Sequence, residues 1–175
     1  MPLSRRFQAL TACAAAFILA LTALAAPLIP EKASLPPPIR SLRNIKQLRI
    51  EIGQLPEAFR SAGMAADKIK DDWTTKLRDA GFEIVQSEEA PKLSLSAFIV
   101  LDDDVPDARG YVFYVALDQN VQVARLDNEA LPLPTYTDFI VGVESETSMD
   151  AEIQSGVAKL LDNFTNRCAM ASAEQ

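Results

Sequence analysis

The chain has 175 residues, with 17 Lys and Arg against 24 Asp and Glu for a net charge of −7, and no histidine. The length fits one domain. Without histidine, imidazole general-base catalysis, Ser-His-Asp triads and nearly every zinc-enzyme ligand set are excluded. The acidic balance argues against nucleic acid, whose phosphates need a basic face.

Residues 1–25 read as a secretory signal peptide. Arg5 and Arg6 form a basic start, Ala12 to Leu21 is an unbroken apolar run, and Ala23-Leu24-Ala25 supplies the small-x-small end that signal peptidase accepts. Cleavage is expected after Ala25. The rival readings are a retained anchor over Phe7 to Ile29 and lipidation at Cys13. Pro27 and Pro30 interrupt the first. The second has a lipobox-like Leu10-Thr11-Ala12-Cys13, but its apolar run follows the cysteine instead of preceding it. The Arg5-Arg6 pair resembles a twin-arginine signal with Phe7 one place too early. After cleavage 15 basic groups face 24 acidic ones. Cys168 is then the one thiol left, so no internal disulfide forms.

Residues 26–45 hold Pro27, Pro30, Pro36, Pro37 and Pro38, a composition that predicts an extended linker without helix. A single domain is expected over 46–170, followed by a disordered tail at 171–175. Leu48, Ile50 and Ile52 alternate with polar residues as in a half-buried strand, which Gly53 ends. A loop with Pro56 and Gly63 comes next. Over 65–80, Ile69, Trp73 and Leu77 recur at helical spacing. Gly81 follows where a left-handed C-terminal residue belongs, and Phe82 can provide the accompanying apolar contact.

Residues 82–86 read as a short strand. Leu93, Leu95 and Ala97 belong to another that continues to Leu101. An acidic turn leads into a long strand in which Tyr111, Phe113, Val115, Leu117, Val121 and Val123 share one face. A turn is expected at Pro132 and Pro134, then a strand over 135–144 with Phe139, Val141 and Val143 aligned on the core parity. Met149, Ile153, Val157, Leu160, Leu161, Phe164 and Cys168 form the stripe of a last helix. Thr147 and Asp150 resemble a capping box, and Gly156 in mid-helix calls for a close contact with the sheet. The fold class is therefore α+β. It is a two-layer sandwich with a mainly antiparallel sheet of four to five strands and two helices on one face.

The chemistry-bearing candidates are few. Asp102, Asp104 and Asp107 could hold Ca²⁺, although a solvated acidic hairpin tip accounts for them and no Glu closes an EF-hand loop. Cys168 falls in phase with Leu161 and Phe164, as a buried small hydrophobe does. Tyr114 and Tyr136 lie off the core parity and mark an exposed binding patch. The sequon Asn163-Phe164-Thr165 is discounted because Phe164 belongs to the core stripe. No phosphate loop, nucleophile elbow or Cys-x-x-Cys is present, and no cofactor is expected.

The element order resembles that of a group of uncharacterised exported bacterial proteins of β-α-β-β-β-α layout. The likeness is carried by Leu48-Arg49-Ile50-Glu51, Leu77-Arg78-Asp79-Ala80-Gly81-Phe82 and Pro91-Lys92-Leu93-Ser94-Leu95. Tyr111-Val112-Phe113-Tyr114-Val115 and Leu160-Leu161-Asp162-Asn163-Phe164 complete it. More remotely the layout is similar to the small lipopolysaccharide-assembly lipoproteins of the outer membrane, whose lipid-anchoring cysteine has no good counterpart here.

Together these features predict a non-enzymatic periplasmic accessory protein whose strand edges could accept a further strand. Its expected partner is an envelope protein or a lipid-linked component, and not nucleic acid. The alternatives are a carboxylate-dependent hydrolase acting on an envelope substrate, or a domain held at the inner membrane by a retained signal segment. The acidity is uneven. Residues 26–92 carry 11 basic and 10 acidic groups, while residues 93–175 carry 4 and 14. A partner met electrostatically should be basic or cation-bridged and should approach the second half.

Overall fold

The computed structural model describes residues 35–101, 108–145 and 149–173. The signal segment with Arg5, Arg6 and Cys13, the proposed cleavage point at Ala25, the acidic residues Asp102, Asp104 and Asp107, and Thr147 lie outside the described residues.

In chain order the elements are α1 (Pro37–Arg40), β1 (Gln47–Ile52), α2 (Glu57–Ser61), α3 (Ala66–Asp79), β2 (Glu83–Ile84), β3 (Lys92–Leu101), β4 (Ala108–Val123), β5 (Glu129–Ser145) and α4 (Met149–Ala173). The described strands form one five-stranded sheet in the order β2-β1-β3-β4-β5. β1 runs parallel to both β2 and β3, and β3, β4 and β5 are antiparallel neighbours. The α+β sandwich expected from the sequence is the observed architecture, with the parallel β1-α3-β2 unit attached to an antiparallel meander.

One face of the sheet holds the core. Leu48 and Ile50 of β1, Leu93 and Leu95 of β3, and Phe113, Val115 and Leu117 of β4 are buried there. They pack against Ile69, Trp73 and Leu77 of α3 and Ile153, Leu160 and Phe164 of α4. Aromatic pairs link the layers. The Phe59 and Phe113 rings lie 5.1 Å apart and those of Tyr136 and Phe164 5.7 Å apart, within the range of tilted ring packing. Cys168 is buried among these residues, and burial pushes its thiol up to about 12.

The end of α3 follows its sequence signal. The Phe82 N–H donates to Leu77 C=O at 2.9 Å and the Gly81 N–H to Arg78 C=O at 2.9 Å. Gly81 adopts φ +91°. These are the two bonds of a Schellman motif, and the buried Phe82 is its apolar contact.

Four expectations are corrected. The stretch read as an extended linker ends in the one-turn helix α1. Pro37 occupies its first position, where the missing N–H has no intrahelical partner to lose. Leu42, just beyond, is buried at 1% exposure, so the domain begins before Lys46. The segment read as a loop after Gly53 contains α2, whose Phe59 is fully buried and whose end repeats the Schellman pattern through Gly63 (φ +81°) and Met64. At the other end, α4 continues to Ala173, with Ala171 buried and its carbonyl accepting from Arg43 Nε at 3.3 Å.

The fourth correction concerns β5. The turn lies at Ala124–Leu126 and the left-handed Asp127 and Asn128, not at Pro132 and Pro134. Both prolines sit inside β5, which tolerates them because it is an edge strand. The register slips between Leu117 and Asp118: Leu117 faces Tyr136, whereas Asp118 faces Pro134. Thr135 is the extra residue. Its Oγ1 accepts from Gln119 Nε2 at 2.8 Å and donates to Leu117 C=O at 3.3 Å, and its carbonyl accepts from Ser41 Oγ at 3.2 Å. A one-residue bulge exchanges the faces of every later residue. Tyr136 and Ile140 therefore turn inward, while Phe139, Val141 and Val143 turn out.

Gly156, by contrast, sits near Ile140 with room to spare. A Cβ there would meet the Ile140 side chain at 3.8 Å, an ordinary van der Waals distance, so tight packing does not require the glycine.

Candidate binding surface

The sheet face opposite the core is left open, and its two ends differ. Near β1 it is charged. Arg49 grips Glu88 through both guanidinium nitrogens, each at 2.9 Å, in the two-pronged geometry that makes such pairs strong. Arg49 also lies 3.9 Å from Glu51, and Lys92 bridges Glu51 at 3.7 Å and Asp118 at 3.3 Å. A shallow cleft of about 270 Å³ here is lined by Glu88, Glu89 and Asp118 together with Arg49 and Lys92. Glu88 and Asp118 are thus neutralised by neighbouring cations.

At the β5 end the same face is apolar. Register places three rows across β3, β4 and β5: Ser96–Tyr114–Phe139, Phe98–Val112–Val141, and Val100–Gly110–Val143. Five of these side chains are more than half exposed, from 56% for Phe98 to 68% for Val143. No charged residue stands in the three rows. Covering each of the five side chains would return about 1 kcal/mol or more. A contiguous apolar patch of this kind on a small domain marks an interaction surface.

The outer edge of this surface is β5 itself, with no described strand beyond it. Phe139 donates its N–H to its neighbour Asp138 Oδ1 at 3.0 Å instead of to β4. In an antiparallel ladder the residues alternate between pairing inward and facing away. Thr137, Val141 and Val143 therefore direct their N–H and C=O groups outward with Phe139. Asp138 blunts this edge at one position, as charged residues on edge strands do.

Only half of the tyrosine pair expected to be exposed belongs to this surface. Tyr114 is half-buried at the middle of the first apolar row. Tyr136 is buried at 1% exposure, carried inward by the bulge at Thr135. Its hydroxyl lies 3.4 Å from Asp138 Oδ2, which also accepts from Asn163 Nδ2 at 3.0 Å, and the Arg167 guanidinium sits 5.5 Å from its ring. Burial and the Asp138 charge push the Tyr136 hydroxyl up to about 12. Asn163, the sequon residue, is thus engaged in the fold, and Phe164 beside it is fully buried. The outward Phe139, Val141 and Val143 were missed. Their signal was an apolar run in which both parities are hydrophobic, Phe139-Ile140-Val141, which marks a strand with two apolar faces.

On the helical side a cleft of about 360 Å³ between α3 and α4 is lined by Met64, Ile69, Trp73 and Leu161, with Asp72 the one carboxylate. The Trp73 Nε1–H is buried without a hydrogen-bond partner. Among the described residues no group of three or more Cys, Asp and Glu is placed to hold a metal, and no helix is long and apolar enough to cross a membrane.

No family model and no curated protein matches the chain. Among solved structures, a minor lipoprotein from Acinetobacter baumannii overlays with a TM-score of 0.41 at 10% sequence identity, covering 72% of this chain and 92% of that one. Its attachment to lipid is a property of that protein.

Proposed function

We propose that the chain is a non-enzymatic accessory protein of the bacterial cell envelope. It is exported to the periplasm and binds an envelope protein or a lipid-linked component through the apolar end of its open sheet face. The observation that carries this reading is the set of three uncharged rows around Tyr114, exposed on the side of the sheet that the core does not need. The signal-like start of the sequence supports the location. The ion-paired clusters near Arg49 and Lys92 favour binding over carboxylate catalysis, which needs an acid free to exchange its proton.

Crosslinking in cells tests the reading. The chain should give a discrete crosslinked product, reduced at least tenfold by the double substitution Phe139→Ser and Val141→Ser in a protein that remains folded and exported. Equal yield from both chains would contradict it.

A further inference from the structure

We propose that the β5 edge from Thr137 to Val143 is completed by a strand from a partner protein, and that this strand alternates apolar side chains with Lys or Arg. The inference rests on the open face being the binding surface and adds how the partner is held and what its sequence must look like.

Backbone geometry comes first. Phe139 spends its N–H on Asp138, so the alternation of the ladder leaves Thr137, Val141 and Val143 directed away from β4. Among the described residues, no backbone hydrogen bond from an element other than β4 reaches 137–143. The edge upstream is closed: Ser41 Oγ occupies the Thr135 carbonyl, and Pro132 and Pro134 carry no N–H. From Thr137 onward there is no proline. Seven residues are enough for an added strand, whose main-chain bonds supply affinity while alternate side chains supply selectivity.

Side-chain chemistry fixes the sequence of the occupant. A strand laid beside β5 extends the rows ending in Phe139, Val141 and Val143, so every second residue meets an apolar surface. Charge selects the rest. Between Thr137 and Val143 β5 carries Asp138 and no basic residue, Glu144 follows directly, and residues 93–175 hold 14 acidic groups against 4 basic. A basic strand complements this edge. A second copy of the chain would bring the same acids, and an anionic membrane surface would be repelled.

The test uses the exported chain and a fluorescent nine-residue peptide of alternating Val and Lys, followed by anisotropy. Binding is expected to weaken at least tenfold when Glu replaces Lys and when alternate peptide amides are N-methylated, a change that leaves the protein untouched. Val141→Pro should weaken it similarly, because that N–H faces outward and the β4 ladder is kept. Equal binding of the Glu peptide or of the N-methylated peptide would overturn the proposal. Failure of the Val–Lys peptide to bind, while the crosslink lost in the Phe139→Ser and Val141→Ser chain persists in the parent, would overturn strand addition and leave the binding surface standing. Loss of both would remove the surface as well. A concentration-dependent dimer in sedimentation, or binding to anionic vesicles, would replace the basic strand with a second copy or a lipid surface.

Discussion

The open face of the sheet is one surface with two chemistries. At the β1 end, Arg49, Glu51, Glu88, Lys92 and Asp118 satisfy one another through contacts of 2.9–3.9 Å. At that end the charges are paired within the chain. At the β5 end the same strands present Phe98, Val100, Phe139, Val141 and Val143, and nothing among the described residues covers them. Both ends are built from side chains that the core does not use, so stability alone explains neither. The difference is that charges can be saturated within the chain, whereas apolar side chains are saturated only by another surface.

This contrast can be broken in several ways. The largest effect should separate the two faces of the sheet. Phe113→Ala, on the core face, should cost about 3–5 kcal/mol in urea unfolding, while Phe139→Ala should stay within about 0.5 kcal/mol. Equal losses would mean that the apolar rows belong to the core. Next, Gly142 lies under the Tyr111 ring, and a Cβ there would run into it. Gly142→Ala should therefore destabilise by about 1–3 kcal/mol, and Tyr111→Leu in the same chain should recover part of that loss. At the charged end, Glu88→Gln should cost about 1 kcal/mol. The cost should shrink in high salt, whereas the small stability change from Phe139→Ala should not respond to salt.

Alkaline pH probes the inward side of β5. Tyr136 and Cys168 ionise near 10.0 and 9.0 in an unfolded chain but are both held up to about 12 by burial. The folded state then keeps protons that the unfolded state has lost. Stability is full below pH 9 and falls as pH rises toward 12. Tyr136→Phe should flatten this loss above pH 10, and an unchanged slope would place Tyr136 at the surface. The smallest effect is a gain. Gly156→Ala should stabilise α4 by up to about 1 kcal/mol, since the space beside Ile140 accepts a methyl group.

Much of the fold was legible. Period and punctuation agree at α3, where Ile69, Trp73 and Leu77 precede Gly81 and Phe82, and the structure returns both the buried stripe and the Schellman bonds. The odd parity of β4 was readable because its inward residues are large and its outward neighbours are mixed. β5 was not readable, because its parity depends on one extra residue. Thr135 looks like any strand threonine; only its bonds to Gln119, Leu117 and Ser41, which come from tertiary contact, make it a bulge. That single slip moved Tyr136 into the core and brought Phe139, Val141 and Val143 to the open face. The helix α2 left a fainter trace, Phe59 followed by Gly63 and Met64, which is the same C-terminal signature as in α3 on a segment too short to show a period. The Pro36-Pro37-Pro38 run concealed α1 because proline is compatible with the first helical turn as well as with an extended chain.

A photo-reactive side chain placed at Val141, and separately at Glu51, tests the division of the open face most directly. If the apolar end is the binding surface, irradiation in cells should give one discrete adduct from position 141 and none from position 51. Equal adducts from the two positions, or an adduct from position 51 alone, would contradict it.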